Sequence, residues 1–200
     1  MRHAGETVVV ISHGLVLDLA YRAANGIALD YNNRPAEALT EFRAAFDLDP
    51  ANTGLALQLA ETYRTRYDMT NALAVLDAAI AANPKSGEPL LARGLVLRAN
   101  EDPTGAIASF QQALQLDPIH YGAIRALAET YLNKTDTNAV VALLDQAYRR
   151  KSTDPFYWMA IGDLHYYALR QIPSLAARVE RNRARECYEY AHGLAPTNTD

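Results

Sequence analysis

The chain has 200 residues, of which 50% are hydrophobic and 21% are charged, with a formal net charge of −4 at pH 7. This is enough apolar material for a sizeable core in one domain or one repeat array, and the acidic balance argues against a nucleic-acid partner. The single cysteine, Cys187, allows neither an internal disulfide nor a thiolate metal site. No segment has the ~20 apolar residues of a membrane span. We therefore expect a cytoplasmic protein without a metal or other cofactor.

The N-terminal stretch begins with a strand-like run and then places Ser12, His13 and Gly14 where a chain would turn into a helix. Residues 4–30 resemble the C-terminal part of the histidine phosphatase (phosphoglycerate mutase-like) family, and the resemblance makes His13 the counterpart of its second catalytic histidine. That family's mechanism also needs a phosphate-accepting histidine in an Arg-His-Gly loop, which Ala4 interrupts here. We interpret residues 1–18 as a phosphatase-like remnant or an N-terminal cap, and we expect no enzyme activity.

The rest of the chain carries an internal repeat. Pro50, Pro84 and Pro118 each follow Asp or Asn and lie 34 residues apart, a period that indicates a repeated pair of helices. Small residues let paired helices approach closely, a large residue fills the space between neighbouring repeats, and the proline ends the second helix. The matching positions are Gly26, Ala60 and Gly94; Ala38, Ala72 and Ala106; Phe42, Leu76 and Phe110; and Ala45, Ala79 and Ala113.

These positions match the pattern of the tetratricopeptide repeat family, which the chain resembles from residue 19 to residue 196. The resemblance implies an all-α, right-handed α-solenoid of about five helix-turn-helix units. The fourth unit departs from the pattern, because Val140 stands at an alanine position and the closing proline is delayed to Pro155. The predicted units are residues 19–52, 53–86, 87–120, 121–154 and 155–196.

The fifth unit contains an insertion of ten residues between His165 and Ala184. We expect residues 175–185 to project beyond the stack as at least one additional helical turn, and His165 to be a packing residue. The insertion is rich in arginine, which is typical either of a solvated face or of a docking site for an acidic or phosphate-bearing partner. Its charged residues are Arg170, Arg178, Arg181, Arg183 and Arg185, with Glu180 as the one acidic residue.

The last predicted helix pair ends without a polar capping helix, which solenoids generally need. We therefore expect the surface around Tyr188 and Tyr190 to be covered by a longer chain, a partner or a second copy, which makes a homo-oligomer one of the alternatives.

The resemblance also places the first helix of each unit on a concave, peptide-binding face. Three leucines there predict an apolar strip, and recurring arginines suit carboxylates or carbonyl groups. The alternative is that the arginines pair with Glu61 and Glu129 on a wet surface. The predicted groove residues are Leu57, Glu61, Arg64, Leu91, Leu95, Arg98, Arg125, Glu129, Met159, Asp163 and Tyr166.

One specialisation of the family is absent. Its chaperone-binding members use a clamp of lysines and asparagines, but those positions correspond here to Ala23, Ile27, Leu57 and Leu91. The sequence therefore favours a non-catalytic scaffold that binds a protein or peptide segment in the groove. The alternatives are a self-assembling structural module and, more remotely, a degenerate histidine phosphatase fragment.

Overall fold

The computed structural model describes residues 35–172 and 177–194, and these residues form nine α-helices and no strand. The expectations for residues 1–18, for His13 and for the first helix of the first repeat lie outside the described residues. The helices are α1 (Pro35–Leu48), α2 (Thr53–Thr65), α3 (Met69–Ala82), α4 (Glu88–Ala99), α5 (Pro103–Leu116), α6 (Tyr121–Asn133), α7 (Thr137–Tyr148), α8 (Pro155–Gln171) and α9 (Ala177–Leu194).

Three equivalent turns join the two helices of successive repeats. In each turn an aspartate caps the second helix by accepting a hydrogen bond from the backbone N–H three residues ahead, at 2.9–3.1 Å. The residue before each aspartate has a left-handed backbone with φ of 56–60°, although none is glycine. These positions are Tyr67 and Asp68, Glu101 and Asp102, and Thr135 and Asp136. The 34-residue period therefore extends to the backbone of the turns.

The chain divides into two compact units, residues 1–101 and residues 102–200. The division falls between α4 and α5, inside the predicted repeat 87–120. In the first unit α3 packs both on α2, in its own repeat, and on α4, the first helix of the next repeat. Units defined by contacts are therefore offset by one helix from repeats defined by sequence.

The cores of both units contain the repeated small and large residues. In the first unit they form one cluster with Phe46, Leu55 and Leu59, and in the second unit Ile124 and Leu127 are buried as well. Val140 is also fully buried, so the larger side chain at an alanine position is accommodated within the core. The buried repeat residues are Phe42, Ala45, Ala60, Ala72, Leu76, Ala79, Gly94, Ala106, Phe110 and Ala113.

The ten-residue insertion lengthens both helices of the last hairpin, because α8 has 17 residues and α9 has 18. Gly162 lies where the two helices approach closely, and a Cβ there would lie 3.0 Å from the ring of Tyr188 and 3.2 Å from the carbonyl oxygen of Ala184. Cys187 is buried at the same interface, and burial raises the pKa of its thiol to about 12. Close packing of the two helices therefore continues through the long hairpin.

Part of the expected projection of residues 175–185 is wrong. Arg183 forms an ion pair with Asp145 on α7 and lies 5.7 Å above the centre of the Tyr148 ring, while Ala184 is buried. The last residues of this stretch therefore pack on α7, because the guanidinium of Arg183 interacts there with both a carboxylate and the face of an aromatic ring.

His165 is fully buried and packs edge to face against the ring of Tyr148, with centroids 6.2 Å apart. It is a packing residue, as its repeat position predicts. Within the described ranges, no helix combines the length and the apolar character needed to cross a bilayer.

Candidate peptide-binding surfaces

The second compact unit contains an open cleft between α6 and α8, which are the first helices of their repeats and contact one another. Its volume is about 400 Å³, within the range of ligand pockets. We call it the α6–α8 cleft. Its lining residues are Tyr121, Arg125 and Glu129 from α6, and Ala160, Asp163, Leu164, Tyr166, Tyr167 and Arg170 from α8.

Four residues predicted for the groove meet in this cleft: Arg125, Glu129, Asp163 and Tyr166. The first two lie one helical turn apart on α6, and the other two lie one turn apart on α8, so each pair shares a face. Met159 lies on α8 with 47% of its surface exposed, but it does not line the cleft. The structure thus brings together most of the predicted residues of this unit.

The charges of the cleft are partly paired. Arg125 Nε donates to Glu129 Oε1 over 2.9 Å, and this bond, with a contribution from Tyr121, raises the pKa of the guanidinium. On the other wall the hydroxyl of Tyr188 donates to Asp163 Oδ1 over 2.7 Å. Burial and this bond raise the pKa of Tyr188 to about 12. The cleft therefore presents a paired guanidinium and carboxylate on the α6 wall and a carboxylate bound by a tyrosine hydroxyl on the α8 wall.

Sequence reasoning missed five lining residues of the cleft, three of them polar or aromatic with a functional side chain; the other two are Ala160 and Leu164. Tyr121 precedes Arg125 by four residues and shares its helical face, so the i, i+4 spacing was a usable signal. Tyr167 and Arg170 reach the cleft because α8 continues to Gln171. Arg170 had been assigned to the basic insertion, and the length of α8 is what places it beside the predicted groove residues.

In the first unit the predicted residues lie on α2 and α4, which contact one another. Leu57, Leu91 and Leu95 are half-buried, and Leu57 packs against the core cluster. The predicted apolar strip therefore offers a partner only part of the surface of each leucine. The remaining predicted residues here are Glu61 and Arg64 on α2 and Arg98 on α4.

The alternative, in which the arginines pair with Glu61 and Glu129, is observed for Arg64 and Arg125. Arg64 donates twice to Glu61, over 2.5 and 2.7 Å, and this interaction lowers the pKa of the glutamate. Arg125 pairs with Glu129 as described. Because these pairs are largely exposed, each contributes at most ~1 kcal/mol, and a partner's carboxylate can compete for the guanidinium at little cost.

Helix α9 carries exposed charge and exposed aromatic rings. Arg181 is exposed, and Arg185 pairs with Glu189 over 3.5 Å. Tyr188 and Tyr190 are 40% and 55% exposed, and the ring of Tyr190 lies 5.1 Å from that of Trp158. Among the residues in ranges 35–172 and 177–194, no three His, Cys, Asp or Glu side chains are grouped as a metal site requires.

Comparison with known protein families identifies the repeat. Models described as tetratricopeptide repeat match residues 23–87 and residues 97–164, together about two thirds of the chain. The predicted resemblance to this family is therefore confirmed.

Curated relatives share part of this sequence. A peroxisomal targeting signal receptor of Komagataella phaffii is 29% identical over 126 residues, which cover 63% of this chain and 21% of the relative. The receptor of the same name from Pichia angusta is 28% identical over 118 residues, covering 59% and 20%. The chain thus spans about a fifth of the length of the curated relatives it matches.

Solved structures share the fold at low sequence identity. pilF of Pseudomonas aeruginosa has a TM-score of 0.55 and 18% identity, covering 94% of this chain and 79% of that one. A double mutant of MamA RS-1 also has a TM-score of 0.55, with 15% identity over 92% and 94% of the two chains. The predicted fold class, an all-α helical repeat, is confirmed.

Proposed function

We propose, from the premise that the chain belongs to the tetratricopeptide repeat family, that it is a non-catalytic scaffold that binds a peptide or protein segment along the first helices of its repeats. The observation that carries this proposal is the α6–α8 cleft, where Arg125, Glu129, Asp163 and Tyr166 meet. The curated relatives are named as receptors, and recognition of a segment of another protein is in keeping with that kind of role.

The composition of the cleft suits a protein partner. Tyrosine and arginine are enriched at the residues that carry most of the binding energy in protein interfaces, and the cleft has three tyrosines and two arginines. A tyrosine ring supplies a large contact area at a low cost in conformational entropy. Arg125 and Arg170 suit carboxylates or carbonyl oxygens of the segment, whereas Glu129 and Asp163 suit its cationic side chains. We infer a segment that carries charges of both signs.

The test compares capture of proteins from a lysate of the source cell by three forms of the full chain. The cleft variant combines Tyr166→Ala with Arg170→Glu, both at exposed positions, so its helix content by circular dichroism is expected to be unchanged. Lys85→Glu, an exposed residue outside the cleft, is the charge control. We expect a partner to be captured by the intact chain and the control and lost with the cleft variant. Equal capture by all three forms would contradict the proposed site.

The non-catalytic part of the proposal has its own assay. We expect the intact chain to leave an aryl phosphate unhydrolysed, because the phosphate-accepting histidine that this family's phosphoryl transfer requires in an Arg-His-Gly loop has no counterpart beside His13. Turnover that disappears in His13→Ala would contradict this and would support the phosphatase alternative.

Self-association is a second candidate, favoured by exposed aromatic rings on the last hairpin. Phe156 is 75% exposed at the start of α8, and Tyr190 is 55% exposed on α9. Sedimentation over a range of concentrations is the test, with Phe156→Ser and Tyr190→Ser expected to abolish any increase in mass.

A cytoplasmic location of the scaffold is part of the proposed function, and the single cysteine is in keeping with it.

A further inference from the structure

A second concave surface lies in the same compact unit, lined by α5, α6 and α7, with a volume of about 610 Å³. We call it the α5–α7 groove. On α6 it is lined by Leu127 and Tyr131, whereas the α6–α8 cleft is lined by Arg125 and Glu129. Residues two apart on a helix point about 200° from each other, so the groove and the cleft occupy opposite faces of α6.

The walls of the groove carry side-chain amides. Gln111 and Gln115 lie one turn apart on α5, and Gln146 lies on α7, and all three are exposed. A primary amide offers both a donor and an acceptor, as a peptide unit does, so it can pair with a main chain in either direction. Gln111 Nε2 donates to the hydroxyl of Tyr131 over 3.1 Å, which holds one amide in place before any ligand arrives.

The floor of the groove is apolar. Leu127 and Leu143 are buried beneath it, and Leu114 is half-buried. An apolar floor between two rows of hydrogen-bonding groups fits an extended chain, in which alternate side chains point down while the main chain runs along the walls. The helical rise places Gln111 and Gln115 ~6 Å apart, about the length of two extended residues.

Arg150 gives the groove its charge. It follows the end of α7, is half-buried, and is the one residue with a permanent charge among those lining the groove. Within the part of the chain that the structure describes, no carboxylate forms an ion pair with its guanidinium. An arginine presents a planar fork that matches a carboxylate, so charge complementarity selects an acidic occupant.

We propose that the α5–α7 groove binds an extended peptide segment that carries a carboxylate. Gln111, Gln115 and Gln146 pair with its main chain, Arg150 binds the carboxylate, and the leucine floor takes a small apolar side chain. This site is separate from the α6–α8 cleft, so the chain holds two segments at once, one on each face of α6.

The probe is a displayed library of random 12-residue peptides, selected on the full chain and counter-selected on a variant that carries Gln146→Ala and Arg150→Glu. The surviving peptides are synthesised with a fluorescent label, and their affinities are measured by anisotropy. We expect them to share an Asp or Glu beside a small apolar residue. Arg150→Glu is expected to weaken binding at least tenfold and Gln146→Ala about threefold, whereas Arg149→Glu, an adjacent exposed residue outside the groove, leaves it unchanged.

N-methylation of single peptide bonds in the selected peptide tests the main-chain contacts directly, and we expect at least one such methyl group to abolish binding. Four results would overturn the proposal. The selection yields no surviving peptide, or Arg149→Glu weakens binding as much as Arg150→Glu does. The peptide binds as a helix and tolerates every N-methyl group, or sedimentation shows a dimer that Arg150→Glu dissociates. Loss of binding with Arg170→Glu alone would also overturn it and would assign the peptide to the α6–α8 cleft instead, which separates the two proposals.

Discussion

The second compact unit fills one repeat position in two different ways. On α5 and α7 the large residue of the repeat is Phe110 or Leu144, and each is fully buried. On α9 the corresponding residue is Tyr188, which is 40% exposed and donates its hydroxyl proton to Asp163. The repeat pattern therefore predicts that a large side chain occupies this position, while the neighbouring helices determine how far it is buried and whether it forms a hydrogen bond.

The difference extends to the whole α8–α9 hairpin. Aromatic residues at its interface with α7 combine ring packing with a polar tip that finds a partner. Tyr157 Oη donates to the carbonyl oxygen of Ala147, and Trp158 Nε1 donates to that of Ser152, each over 2.8 Å. On α5 the buried residues Ala106, Phe110 and Ala113 are apolar, and the hydrogen bond from Gln111 to Tyr131 on α6 lies at an exposed position. The terminal hairpin thus adds buried and half-buried hydrogen bonds to the apolar packing that it shares with the regular repeats.

Truncation of the large residue tests this comparison with the largest expected effect. Phe110→Ala should lower the free energy of unfolding by ~3–5 kcal/mol, because it leaves a cavity in a closed core. Tyr188→Ala should cost clearly less, since much of the ring already contacts solvent. Urea unfolding followed by circular dichroism measures both, and equal losses would erase the distinction between the two regions.

Glycine substitutions on the hairpin provide a matched pair. In Gly162→Ala the new methyl group meets the Tyr188 ring and the Ala184 carbonyl, so we expect a loss of ~1–3 kcal/mol. Gly193→Ala meets nothing within 4 Å and should gain a few tenths of a kcal/mol to ~1 kcal/mol from helix propensity. Thermal unfolding of the two variants should shift in opposite directions. A stabilised Gly162→Ala would show that the ring of Tyr188 moves away at no cost.

In the regular repeats, a substitution in the turn between α6 and α7 should give a smaller change, an increase in the free energy of unfolding. Thr135 has a φ of 56°, which a β-branched residue rarely adopts, so Thr135→Gly should raise the free energy of unfolding by ~1 kcal/mol. Thr135→Ala keeps a Cβ in the same backbone conformation and should gain less. Denaturant midpoints of the two variants measure the difference, and an equal gain would attribute the effect to the threonine side chain.

The raised pKa values around the terminal hairpin predict a loss of stability in alkali. Burial is the main cause that raises the pKa values of Tyr157, Tyr188 and Cys187 to about 12, and the hydrogen bond to Glu186 is the main cause that raises the pKa of Tyr148 to about 12. All four residues lie on α7 to α9. Because the folded state retains these protons more tightly, stability should fall as the pH rises from about 10 towards 12. Tyr157→Phe should reduce that slope in urea titrations. An unchanged slope would contradict the role of this phenol.

Much of the fold follows from the sequence because helix packing repeats with the sequence. Ala106, Phe110 and Ala113 are buried where the 34-residue period predicts them. The half-burial of Leu57 was not predictable from its position, because it depends on how closely the core residues around it pack. Arg170 was assigned to the insertion, since nothing in the pattern indicates that α8 runs to Gln171. The left-handed backbone at Thr135 was also not predictable from the sequence, because the usual signal for that conformation is a glycine.

The burial of Cys187 makes the chain its own reporter of local opening. It is the one cysteine of the sequence, and its thiol is shielded at the interface of α8 and α9. A thiol reagent therefore reacts only in molecules whose terminal hairpin has transiently separated, and the labelling rate at a fixed pH measures how often that happens. The labelling rate of Cys187 also shows whether a peptide bound to the α6–α8 cleft or to the α5–α7 groove makes separation of α8 and α9 less frequent, and no probe has to be introduced.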